Sequence, residues 1–230
     1  MSSTGGSFEN HDHEFDTVQW SVSSHALSSL TYKDETNIVA KALTLISKNR
    51  WFPMVGTLIA LRDKRIDDAE TDYAWRIDDE LSALNATTPM RLSYNTYLRM
   101  FEDELLHPVP WSKRFGVDTH EGRYIGNSMY YDIDTSKGQA ELGIMIGDKN
   151  YWNQGYGTDT VNPLIRHIFT TTTLNRVYLH TLTWNVRAQK SFEKSGFTKL
   201  RQVKRNGYDF ILMELFKDKW STLLENTGLT

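Results

Sequence analysis

Tyr151-Trp152-Asn153-Gln154-Gly155-Tyr156-Gly157-Thr158 lies between a strand-like run, Ala140 to Ile146, and a helix-like run, Thr158 to Phe169. Glycines at 155 and 157 let the backbone turn tightly and approach a ligand with no Cβ in the way. The helix that follows turns its free N–H groups and the positive end of its dipole back on that turn. Strand, glycine turn and helix start, in that order, make an anion site suited to a pyrophosphate. The expectation is a phosphate-bearing cofactor. A second group, His11-Asp12-His13-Glu14, has metal-ligand residue types but falls in a polar tail, and no native metal site is expected there.

The elements around the turn follow from periodicity and punctuation. Residues 1 to about 35 are rich in Ser, Thr, Asp and His and read as poorly ordered. Thr36 to Arg50 carries Ile38, Ala42 and Leu45 at helical spacing and must bury one face, on the domain or across a homodimer. Val55 to Arg62 reads as a strand. Asp67 with Glu70 reads as a capping box, followed by an apolar stripe of Ile66, Ala69, Tyr73 and Ile77. Pro89 behind Thr88 reads as the first residue of a helix that His107-Pro108 ends. Strands are expected at Arg114–Asp118, Tyr124–Ile133 and Ala140–Ile146, the last two joined by a hairpin at Asp134–Gly138. The next helix should bury Val161, Leu164, Ile165, Ile168 and Phe169, with Pro163 kinking or shortening it. A strand at Arg176–Thr183, a helix capped by Asn185 and ended by Gly196, and a hairpin about Asn206-Gly207 complete the pattern. The sum is an α/β (α+β) fold with a mixed, mostly antiparallel sheet flanked by helices. The domain spans 51–217, after an extension at 1–50 and before a tail at 218–230.

Composition removes several classes. Lys+Arg 26 against Asp+Glu 29 gives a net charge of −3, which argues against a nucleic-acid binder driven by bulk charge. Cys is absent, so disulfides, thiolate metal sites and a cysteine nucleophile are excluded. No run of 18 apolar residues crosses a membrane, and MSSTGGSFEN lacks the blocks of a signal peptide, so the expected location is cytoplasmic.

Four segments in this order resemble the GNAT superfamily of acyl-CoA-dependent N-acyltransferases, and within it the RimJ/RimL-like branch. They are Thr57–Arg62 with Asp67-Asp68-Ala69, Ala140–Ile146, Tyr151–Thr158, and Asn185 with Glu193–Phe197. The resemblance implies acetyl-CoA as acyl donor, with no metal. It implies that Asn153, Gln154, Gly155, Tyr156, Gly157 and Thr158 hold the diphosphate through backbone amides, although Trp152 replaces the Gln or Arg common in the family. Ile144, Met145 and Ile146 match the strand edge that pairs with the pantetheine arm. Asn185 matches an asparagine at the cofactor end. Phe192 stands where many members place a tyrosine that protonates the leaving thiolate. Water, another hydroxyl or no acid at all must then serve. The reaction implied is direct attack of a primary amine, on a protein N-terminus or a small molecule, with both substrates bound. Glu141 is the first choice of base, with Asp132, Asp134 and Tyr130 as competitors, and a backbone N–H near Met145 should meet the carbonyl oxygen. Eight acidic residues between Asp63 and Glu80 either attract a cationic amine or form a solvated helix face. The alternative function is a non-catalytic acyl-CoA-binding module.

Overall fold

The computed structural model describes residues 54–227. The helix expected at 36–50, the homodimer reading built on it and the His11–Glu14 group lie outside that range.

Seven strands form one sheet in the order β1-β2-β3-β4-β5-β7-β6. They are β1 (Ile59–Asp63), β2 (Ser112–Thr119), β3 (Tyr124–Asp134), β4 (Gln139–Ile146), β5 (Arg176–Leu182), β6 (Thr198–Arg205) and β7 (Tyr208–Phe216). Every neighbouring pair is antiparallel except β4 and β5. Those two run parallel over Gln139↔Arg176, Ala140↔Val177 and Glu141↔Tyr178 only, then part. The mixed, mostly antiparallel α/β fold is as expected.

Helix α4 (Tyr156–Thr171) fills one face of the sheet. Val161, Leu164, Ile165, Ile168 and Phe169 are all buried, as their spacing requires. They meet Ile59, Val117, Leu142, Val177 and Met213 in one core. Burial of each such side chain contributes roughly 1.5–3 kcal/mol. Pro163 does not shorten α4, which runs 16 residues through it. Its missing N–H would have met the carbonyl of Asp159, four residues back. That carbonyl and the Asp159 carboxylate face Gly56 so closely that a Cβ there would clash at 2.8 Å and 2.2 Å.

Helices α1 (Ala69–Ile77), α2 (Asp79–Leu84) and α3 (Tyr94–Leu106) lie in the chain between β1 and β2, α1 packing on both α2 and α3. Three expectations fail here. Asp67 caps nothing: Ile66–Asp68 is a 3-10 turn, and the Asp68 carboxylate accepts from Arg65 N–H at 2.9 Å. Ile66 and Ile77 are both 44% exposed, while Trp75 is buried against Gly147, where a Cβ would sit 2.2 Å from the indole. Ile66 falls in the 3-10 turn and so out of the α-helical phase, and within α1 the buried positions are Ala69, Asp72 and Trp75, which turns Ile77 outward. Pro89 starts no helix; Ser93 caps α3 instead, accepting from Thr96 N–H. Residues 218–227, read as part of a tail, belong to helix α6 (Lys217–Thr227), whose Trp220 packs on Phe169 with centroids 5.5 Å apart.

Beneath α1 lies a closed cluster of charges. Arg62 donates to both oxygens of Asp68 at 2.7 and 2.8 Å, and through Nε to Asp118 at 2.6 Å. Lys64 donates to Asp72 at 2.6 Å, to Asn127 at 2.7 Å and to the Tyr124 hydroxyl. This lashes α1 to β1, β2 and β3, beside the packing of Trp75 on the Tyr124 ring with centroids 5.0 Å apart.

Candidate active site

Where β4 and β5 part, the backbone of Gly143, Ile144 and Met145 loses its β5 partner. Alternate peptide groups of a strand point to opposite neighbours, so this edge is open to an extended ligand. A cavity of about 830 Å3 opens there. Its walls are the end of α2, the opened β4 edge, the 151–158 turn, helix α5 (Val186–Lys194) and the tip of the β6–β7 hairpin.

The turn is built as its glycines require. Asn153 and Gly155 are left-handed, with φ of 61° and 91°. A Cβ on Gly157 would stand 3.3 Å from Ser191 Oγ and 3.8 Å from Ile144, so a side chain there would crowd the floor. The first internal bond of α4 is Asp159 N–H to the Gly155 carbonyl, which leaves the N–H groups before it pointing outward. Asp159 does not oppose an anion there: its carboxylate accepts from the N–H groups of Thr57, Leu58 and Ile59 at 2.9, 2.7 and 3.2 Å. Arg187, Lys190 and Lys194 follow at helical spacing on α5 and line the same wall. These donors, cations and the free β4 edge fit a diphosphate carrying an amide-bearing arm.

Trp152 donates from Nε1 to the Ile146 carbonyl at 2.6 Å, and the Arg187 guanidinium lies 4.0 Å over its ring. It therefore closes the far end of the β4 edge and seats a cation beside the turn. Of the residues expected to bind cofactor, Ile144, Met145, Ile146, Asn153, Gly155, Tyr156, Gly157, Thr158 and Asn185 line the cavity. Gln154 does not; its side chain turns back to the Asn150 carbonyl. Asn185 caps α5, accepting from Ala188 N–H at 3.2 Å, and its amide nitrogen is left for the cavity. Phe192 is buried edge-on to Phe197.

Glu141 lies at the apex of the opening and is 3% exposed. His180 Nδ1 donates to it at 2.8 Å, Arg205 Nη1 reaches it at 3.3 Å, and the Tyr131 hydroxyl adds a hydrogen bond. Arg205 Nη1 also stands 2.9 Å from His180 Nδ1. One ring nitrogen cannot donate to Glu141 and accept from Arg205, so the proton stays on Nδ1 and the guanidinium answers the carboxylate. Burial alone would raise the Glu141 carboxyl. The hydrogen bond and charge of His180, with Tyr131 and Arg205, outweigh it and hold Glu141 below the usual glutamate value. Tyr131 is pushed well up by burial and by Glu141. Among the described residues no group of His, Asp and Glu could hold a metal.

Sequence reasoning misses His180, Tyr131 and Arg205, because their meeting depends on strand register. The Arg187, Lys190, Lys194 spacing is a readable signal that it also passes over.

The profile of the acetyltransferase (GNAT) domain matches residues 59–198, and the chain belongs to this family of acetyltransferases, whose acyl donor is acetyl-CoA. It is 26% identical over 172 residues to the uncharacterized N-acetyltransferase p20 of Bacillus licheniformis, covering 71% of this chain and 95% of that one. It is 29% identical over 101 residues to a probable spermine N(1)-acetyltransferase of Bacillus subtilis subsp. natto (strain BEST195), covering 42% of this chain and 66% of that one. In fold it is similar to the spermidine N-acetyltransferase of Vibrio cholerae solved with CoA and spermine, with a TM-score of 0.64 at 19% identity. That match covers 72% of this chain and 99% of that one. It is also similar to the aminoglycoside acetyltransferase AAC(6')-Ib solved with coenzyme A, with a TM-score of 0.61 at 16% identity over 71% of this chain and 98% of that one.

Proposed function

We propose that this chain transfers an acetyl group from acetyl-CoA to a primary amine, in a ternary complex, at the opening between β4 and β5. The observation that carries this reading is the convergence of three parts on one cavity: the turn at Gly155 and Gly157, the unpaired β4 edge and the buried Glu141. Acetyl-CoA, when bound, supplies the thioester carbon. The amine lone pair forms the C–N bond, the C–S bond breaks, and the thiolate leaves with its electron pair.

The backbone N–H groups of Asn153 to Thr158, with Arg187, Lys190 and Lys194, hold the diphosphate end. Gly143, Ile144 and Met145 pair with the extended arm, and an N–H near Met145 meets the carbonyl oxygen. Asn185 presents its free amide to the same ligand. Glu141, kept ionised through neutral pH, draws the acceptor ammonium to the apex and takes up its proton for relay to solvent. Position 192 carries no hydroxyl, so the thiolate departs without an acid from that residue.

Of a protein N-terminus and a small amine, we adopt the small amine, which the named activities of the Bacillus and Vibrio proteins support. The RimJ/RimL-like branch and a cytoplasmic location belong to the same reading. Among the described residues no helix is long and apolar enough to cross a membrane.

Calorimetric titration with acetyl-CoA and with CoA, followed by thiol release with an amine panel, tests the proposal. Micromolar binding and thiol release are expected. Gly155→Val should lose binding by about 100-fold or more while keeping its circular dichroism, since a β-branched residue is strained at φ 91°. Binding without release for any amine would overturn the transfer reading, and unchanged affinity in Gly155→Val would remove the turn from the site.

A further inference from the structure

The charges on the cavity wall constrain the acceptor. Among the described residues lining it, Glu141 is the single carboxylate, and it already has His180 and Arg205 as partners. The acidic stretch between Asp63 and Glu80 does not lend its charge to the cavity: none of its residues is on the wall. Asp68 and Asp72 are spent on Arg62 and Lys64, and Asp78 and Glu80 on Lys149. A polycation would place one ammonium at Glu141 and leave the others facing Arg205 with no carboxylate to answer them.

Arg205 itself is incompletely used. It sits at the hairpin tip, with a side chain 47% exposed, and only Nη1 touches protein groups. Its Nε and Nη2 have no partner among the described residues. A planar guanidinium with a free edge at a cavity mouth is built to receive a carboxylate by two parallel hydrogen bonds. Tyr208 and Phe210, alternate residues of β7, add an apolar wall beside it.

We propose that the acceptor carries a carboxylate as well as its amine, and that Arg205 is the specificity-determining residue that binds it. The inference rests on the acetyl-transfer reading above. A zwitterionic acceptor exchanges the Glu141–Arg205 pair for two pairs, ammonium to Glu141 and carboxylate to Arg205, and leaves no unmatched charge. Its stem, aliphatic or aromatic, lies against Tyr208 and Phe210.

The test is thiol release at saturating acetyl-CoA from matched acceptors: 4-aminobutanoate against 1,4-diaminobutane and spermidine, and phenylalanine against phenylalaninamide. The carboxylates should be favoured in kcat/KM by about tenfold or more, the worth of one charged hydrogen-bonded contact. Arg205→Gln should erase the preference: kcat/KM for 4-aminobutanoate and phenylalanine should fall by about the same factor relative to the diamine and the amide, over and above any change that all acceptors share through Glu141. Arg205→Lys, which keeps the charge and loses the fork, should fall between. An unchanged melting temperature in both variants excludes misfolding as the cause. Preference for spermidine or diaminobutane, or a carboxylate preference that survives Arg205→Gln, would overturn the assignment. If CoA binds and no amine releases thiol, the transfer reading fails by itself. Titration of the CoA-loaded protein with 4-aminobutanoate then decides this inference: Arg205-dependent binding supports it, and absent or Arg205-independent binding overturns it.

Discussion

Two buried carboxylate clusters use nearly the same residue types to opposite ends. Under α1, Asp72 is 6% exposed and is held by Lys64, Tyr124 and Asn127. At the β4–β5 opening, Glu141 is 3% exposed and is held by His180, Tyr131 and Arg205. Each is a carboxylate beside a tyrosine and a cation. They differ in where the cation lies. Lys64 is enclosed, its ammonium 5.4 Å from the Phe101 ring centroid, and burial drives its pKa down despite Asp72. Arg205 stands half in solvent and can be exchanged for a substrate charge. A buried anion is architecture where its counter-charge is locked and chemistry where the counter-charge can leave.

The sharpest way to break the comparison is to delete one carboxylate from each cluster. Asp72→Ala leaves Lys64 only the longer pair with Asp68 at 3.6 Å and should destabilise the protein by about 3 kcal/mol, lowering the melting temperature by roughly 10 °C. The apolar pair Lys64→Met with Asp72→Leu should recover most of that loss in a urea titration, because both desolvated charges go together. Next, Glu141→Gln should lower kcat about 100-fold, near 2.7 kcal/mol, with a smaller loss of melting temperature than Asp72→Ala. A large stability loss and wild-type kinetics would reverse the roles assigned to the clusters. Asn185→Ala should cost about 1 kcal/mol through its cap, and raise KM for acetyl-CoA a few-fold if its amide reaches the ligand.

The pH effect is the smallest. Asp68 and Glu141 both titrate below their ordinary values of 3.8 and 4.5. For a depressed carboxyl, the added stability is complete above the unfolded value and is lost as pH falls through the folded one. Melting temperature should therefore drop on acidification below about pH 4.5, and Glu141→Gln should remove the part that belongs to the active site. A melting curve flat to pH 3 would count against both ion-pair networks.

The features legible in the amino-acid sequence are local ones. The stripe of α4, the hairpins at Asp134–Gly138 and Asn206-Gly207, and the left-handed Gly155 and Gly196 follow from short-range sterics and burial, and each is observed. The expectations at Ile66 and Pro89 fail where a 3-10 turn and a loop stand in place of α-helix, and the one at Ile77 because α1 buries Ala69, Asp72 and Trp75 instead. The site is legible in part, because the glycine turn and Glu141 sit on the recognisable segments. His180 and Arg205 are hidden, since they reach Glu141 from 39 and 64 residues away through sheet register. Lys64 and Asp72 are hidden too, because a charged stretch on a helix face reads as solvated until the helix is docked.

The β4–β5 divergence has a further consequence. Its apex is pinned from behind by Arg176, which donates to Gln139 at 2.7 Å and to Glu214 at 2.9 Å. Side chains behind the apex, and not the ones that line the opening, therefore brace its narrow end. On the function proposed above, donor recognition falls to the turn and α5, and acceptor recognition to the end of α2 and the hairpin tip. These parts are modular. Grafting a different 205–208 tip onto this scaffold should redirect the enzyme to another amine while its use of the acetyl donor stays as it is.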